Sequence, residues 1–113
     1  MNLVEGQIKK GCFSADNITV KGLKLKDGPA TLGFRAEDAK ITDAPATAQI
    51  TAPTYAVELL GDATMVTVIA GNALVAVKAH KEFRTEIGSE VHISVPEASC
   101  HLFHSQTGER LGG

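Results

Sequence analysis

Apolar and polar residues alternate along most of this chain, most regularly from Tyr55 to Ala79. Tyr55, Val57 and Leu59 alternate with Ala56, Glu58 and Leu60, the period of two that side chains follow on a β-strand. Gly61-Asp62 interrupts with turn residues, Met65 to Ile69 resumes the pattern with β-branched side chains, and Gly71-Asn72 interrupts again before Ala73 to Val77. This predicts three consecutive antiparallel strands joined by short loops.

The flanking segments read the same way. Met1 to Lys9 predicts an opening strand, with Leu3 on one face and Val4, Gly6 and Ile8 on the other. Phe13 and Ile18-Thr19-Val20 predict a short strand pair around a Ser14-Ala15-Asp16-Asn17 turn. Lys21, Lys24 and Lys26 alternate with Gly22, Leu23 and Leu25, which predicts a strand with a solvated basic edge that resists sheet-to-sheet association. A patch for an anionic ligand is the alternative for those lysines. Asp27-Gly28-Pro29 predicts a turn and Ala30 to Arg35 a strand, in which Gly33 marks a bulge or a close backbone approach.

Ala39 to Ala46 reads as loop around a short Ala39-Lys40-Ile41 segment. Ala48, Ile50 and Ala52 then begin an extended run in which Pro53, lacking a ladder donor, marks an edge or a bulge. His80 to Glu86 predicts a loop or a short helical turn. Glu90 to Val95 is a half-buried strand, Pro96 to Ser99 a turn of 3₁₀ character, Cys100 to His104 the last strand, Ser105 to Gly108 a turn, and Arg110 to Gly113 a fraying end. With about eight to ten short strands and no helix beyond about two turns, the fold class is all-β, a barrel or a sandwich.

Composition narrows the function. A chain of 113 residues buries roughly two thirds of its unfolded surface, enough for one core without staples. A net charge of −2 and a pI near 6.0 leave no basic field for phosphate backbones. Phe13, Phe34, Tyr55, Phe83 and Phe103 are scattered singly instead of clustering among cations, as a stacking groove requires. Both observations argue against nucleic acid. Cys12 and Cys100 match no zinc spacing, and no charged, apolar leader opens the chain, so a reducing cytosolic setting with free thiols is expected.

Catalytic patterns are missing. No G-x-x-x-x-G-K-[ST] loop occurs, nor a G-x-G-x-x-G between strand and helix. His101 and His104, three apart on a strand, face opposite sides and do not grip one metal. Glu37 and Asp38 diverge as neighbours on an extended chain, and the Ser99/His101 and His104/Ser105 pairs lack a nucleophile elbow or an oxyanion arrangement. The chain therefore reads as a non-enzyme without catalytic, cofactor-binding or metal residues of its own.

Separated segments resemble one family. Met1-Asn2-Leu3 is similar to the Met-Asn that opens its first strand, and Gly33-Phe34-Arg35-Ala36-Glu37-Asp38 resembles its G-I-R-P-E motif, with Ala36 in place of proline. Leu59-Leu60-Gly61-Asp62-Ala63-Thr64 is similar to L-G-[DN]-x-T; Gly88, Val91 and Ile93 fit G-x-x-V-x-[IL]; His101 to Leu111 fits H-L-F-x-x-x-T-G-x-R-[IL]. The family is the C-terminal regulatory TOBE (transport-associated OB) domain of the ATP-binding subunit of sugar-type ABC importers, the maltose and glycerol-3-phosphate class.

The resemblance implies an OB-like, TOBE/MOP-like β-barrel over residues 1–113, in a piece of a subunit whose ATPase domain, with its ATP and Mg²⁺, lies upstream. It implies a homodimer, contacts to that ATPase domain and to the transporter's membrane subunits, a regulatory protein or small ligand as a further partner, and a cytoplasmic place at the inner face of the membrane. Arg35, Glu37 and Asp62 are the candidates for polar contacts across the pair or to the ATPase domain, and Gly33 and Gly61 for special backbone geometry. The alternative is a small-oxyanion protein of molybdate-binding type on the same architecture, with the Lys21, Lys24 and Lys26 stripe as its donors.

Overall fold

The computed structural model describes residues 1–71, 73–105 and 107–109. The second residue of the Gly71-Asn72 turn and the Arg110-Leu111 end of the last motif lie outside the described residues, as does the fraying expected there. Among the described residues ten strands form: β1 (Asn2–Lys9), β2 (Cys12–Ala15), β3 (Ile18–Val20), β4 (Gly28–Phe34), β5 (Lys40–Thr42), β6 (Ile50–Leu59), β7 (Thr64–Ala70), β8 (Ala73–Ala79), β9 (Glu90–Ser94) and β10 (His101–His104). Three single 3₁₀ turns, Ala36–Asp38, Pro45–Thr47 and Glu97–Ser99, are the only helical pieces among the described residues. All ten strands pair antiparallel in the order β10-β4-β1-β2-β3-β6-β7-β8, with β9 joining β5 to β6.

β6 is the spine. Its first half lies between β3 and β9, and its second half leaves them to pair with β7. The changeover falls at Pro53-Thr54-Tyr55: Pro53 closes the β9 ladder opposite Glu90, and the β7 register slips between Thr54 and Ala56. The bulge expected of Pro53 therefore sits at Tyr55, which breaks the alternation and stands 52% exposed, while Thr54, 2% exposed, turns inward with its hydroxyl donating to Ser89 O at 2.8 Å.

One expected strand does not form. Lys21 to Lys26 forms no ladder; it is tied by Leu23 N donating to Gly11 O at 2.8 Å, with Leu23 and Leu25 packed on the core. Gly22 at φ +78° redirects the chain out of β3, so alternation here describes a strap across the β1–β2 turn and not a paired edge. The β2–β3 turn is also tighter than predicted, since Ser14 and Ala15 belong to β2 and only Asp16 and Asn17 make the turn. Gly33 lies in unbroken register with both Leu3 and His101, so it marks no bulge.

Inward-facing residues of both halves, among them Phe13, Phe34, Ile18, Ile50, Val66 and Val77, form one core. Gly6 makes room for it: a Cβ there would lie 2.5 Å from Ser14 O and 2.6 Å from Cζ of Phe13. The β7–β8 end is fastened to the rest by side-chain amides. Asn2 donates from Nδ2 to Ala76 O at 2.7 Å and accepts from Ala76 N at 2.9 Å. Asn17 does the same at the hairpin turn, donating to Ile69 O at 2.9 Å and accepting from Gly71 N at 2.7 Å. A third amide works elsewhere: Gln49, just before β6, accepts from Val95 N, just after β9, at 2.8 Å.

Replacing Asn2 or Asn17 by Ala removes two hydrogen bonds each, and urea unfolding should show a loss of about 1–3 kcal/mol for either. A change below about 0.3 kcal/mol in both would rule out the fastening role. Gly6→Ala should cost about 3 kcal/mol in the same measurement, because one of the atoms it meets is backbone.

Candidate functional site

The sequence candidates fall at two places on the surface. Arg35 is the first residue beyond β4, exposed and extended at φ −88°, ψ 147°, and the 3₁₀ turn Ala36–Asp38 follows it, closed by Asp38 N donating to Arg35 O at 3.0 Å. Ala39 then plugs the core at 1% exposed, which presses this turn beside β8. Glu37 points to solvent on the turn. Asp62 is also exposed, but on the β6–β7 turn, where Leu60 N donates to Ala63 O at 2.9 Å and Gly61 adopts φ +90° with open space around a built Cβ.

Arg35 and Glu37 thus share one turn, and Asp62 belongs to another. None of the three side chains forms a hydrogen bond or ion pair among the described residues. The missing proline at Ala36 leaves the local backbone intact. Arg35 already has the extended geometry that a following proline would impose, and Ala36 takes the first position of the turn, where proline is well accommodated.

Gly33 has a packing role. A Cβ there would come within 2.9 Å of Met1 Sδ and of Cε2 of Phe103, and within 3.1 Å of Leu3 Cδ2. The same Met1, Leu3 and Phe103, together with Thr31, line an open groove of about 400 Å³.

The lysine stripe does not converge. Lys21 lines an open hollow of about 440 Å³ with Thr19, Thr47 and Gln49. Lys24 and Lys26 line another, of about 420 Å³, with Asp27 and His104. Among the described residues no group of three or more His, Cys, Asp or Glu gathers as metal ligands, and no buried side-chain polar atom lacks a hydrogen-bond partner. Neither Cys12 nor Cys100 forms a disulfide. The described residues present open hollows, exposed apolar side chains and exposed charges.

Sequence reasoning had no hold on Asn2, Asn17 and Gln49 as fastening residues. Asn2 and Asn17 appear in it only as a strand opening and a turn.

This fold and this surface meet a family match. A protein-family model described as TOBE domain matches residues 32–103, more than half of the chain, and no curated protein matches it. The chain belongs to the TOBE domain family, whose members are regulatory or oxyanion-binding domains associated with ABC transporters, and its antiparallel sheet is the OB-like fold of that class. The matched segment starts and ends on paired strands, since Leu32 lies opposite Leu102. β1, β2 and β3, which precede it, fill the sheet between β4 and β6.

Two outcomes follow from this geometry. Ala36→Pro should raise stability by about 0.4–1 kcal/mol, read as an upward shift in thermal midpoint, because the native backbone is already compatible. Arg35→Ala, Glu37→Ala and Asp62→Ala should each stay within about 0.5 kcal/mol of the parent, so that any effect on activity reports a lost intermolecular contact.

Proposed function

We propose that this TOBE domain is the regulatory and pairing module of the ATP-binding subunit of an ABC importer, of the class that takes up sugars or glycerol-phosphate-like solutes. The family match over residues 32–103 carries this reading. The motif segments agree with it: Gly33 to Asp38, Leu59 to Thr64 and His101 to Phe103 all fall inside the match or at its end.

In this reading the chain performs no chemistry itself. ATP and Mg²⁺ belong to a nucleotide-binding domain that shares its polypeptide, and two copies of this domain hold a pair of such subunits together at the cytoplasmic face of the membrane. A stiff β-barrel suits that task, because attached domains can move as rigid bodies about a fixed joint. Arg35, Glu37 and Asp62 supply polar contacts to the second copy or to the nucleotide-binding domain. A regulatory protein or small ligand would act on the same outer surface.

The test joins the domain to its nucleotide-binding half. The pair should sediment as a dimer, and Arg35→Ala or Asp62→Ala should change ATP turnover several-fold without unfolding the protein. A strictly monomeric assembly whose turnover ignores both substitutions would end this reading. The oxyanion alternative has one supporting observation, the shared hollow of Lys21, Thr19 and Thr47. Titration calorimetry with molybdate, tungstate and sulfate separates the two, and heat abolished by Lys21→Ala would favour the alternative.

A further inference from the structure

The register of β6, β7 and β8 places ordered rows across the outer face of that three-stranded sheet. Glu58 pairs with Met65, and Met65 with Lys78; Ala56 pairs with Thr67, and Thr67 with Ala76. Farther along, Ile69 pairs with Leu74, and Tyr55, the extra residue of the bulge, stands on the β6 flank between the Thr67 and Ile69 rows. Their inward neighbours Val66, Val68, Val75 and Val77 are fully buried, which fixes the outward direction of these rows.

From β6 to β8 the first row therefore runs acid, apolar, base. Glu58 and Lys78 are two strand spacings apart, roughly 10 Å, with Met65 between them, and neither has an ion-pair partner among the described residues. Tyr55, Ile69 and Leu74 are 52%, 43% and 53% exposed. The middle row is small, so a second surface can approach closely.

We infer that this face pairs with the same face of a second copy, about a two-fold axis running along β7 in the plane between the two sheets. That rotation lays β6 of one copy over β8 of the other, so that Glu58 meets the partner's Lys78 and Lys78 meets the partner's Glu58. Met65 falls on the axis against itself, and Tyr55 reaches toward the partner's Leu74. The charge order is self-complementary under this operator, as an isologous contact requires. Two twisted sheets stack in this way at roughly 10 Å, with strands nearly aligned.

Three strands spaced about 5 Å apart and seven residues long at about 3.3 Å each make a face of roughly 330 Å², short of the roughly 800 Å² per partner of a stable complex. The isolated chain therefore pairs weakly, and attached domains strengthen the pair by holding the two copies close. The inference rests on the pairing role proposed above and assigns it to one surface.

The test is a charge exchange followed by sedimentation at concentrations up to millimolar, with circular dichroism as the folding control. Glu58→Lys and Lys78→Glu each set like charges against each other twice, and each should weaken self-association about tenfold. Mixing the two variants should restore association as a heterodimer, because both contacts then join opposite charges. The double variant E58K/K78E should pair with itself like the parent. If the parent dimerises and the single variants match it, or if the mixture fails to restore what they lose, this face is not the contact, although pairing through another surface stands. A parent that remains monomeric throughout overturns the pairing role along with it.

Discussion

Two asparagine carboxamides fasten the β7–β8 end of the sheet to its beginning. A strand order that runs from β10 to β8 leaves β8 with a neighbour on one side only, and a strongly curled sheet does not bring its last edge into ladder register with its beginning. A primary amide has a donor and an acceptor side by side, as a peptide unit does, so Asn2 can offer Ala76 what a paired strand would have offered. Asn17 does this for Ile69 and Gly71 at the turn. The β7–β8 hairpin is thereby tied at its tip and at its middle. The Ala36–Asp38 turn packs beside the same β8 strand.

The fold was legible where sequence and pairing are both local. β6, β7 and β8 are consecutive, their turns contain Gly61 and Gly71, and their inner valines follow a period of two, so each strand declared its neighbour. Legibility failed where the same alternation admits two outcomes. Leu23 and Leu25 face the core between lysines just as strand residues would, yet the segment is unpaired, because Gly22 turns the backbone away from the sheet. The asparagine ties were invisible for another reason. Asn2 and Ala76 are 74 positions apart, and nothing local to either residue names the other.

The candidate site was legible to a different degree. The segments around Arg35 and Asp62 stood out through resemblance, and the structure puts these side chains in solvent on separate turns. The self-complementary rows on the β6–β8 sheet could not be read in advance. They exist only once the register is fixed, and the Tyr55 bulge moves that register by one residue relative to uninterrupted alternation.

The unpaired strap has an evolutionary side. Leu23 and Leu25 button it to the core, but between Leu25 and the start of β4 no backbone ladder is at stake. Doubling the length of a flexible connection costs only about 0.6 kcal/mol. Residues inserted there would leave every strand partner in place, so related chains can carry extra loops or whole appendages at this point while keeping the same barrel beneath them.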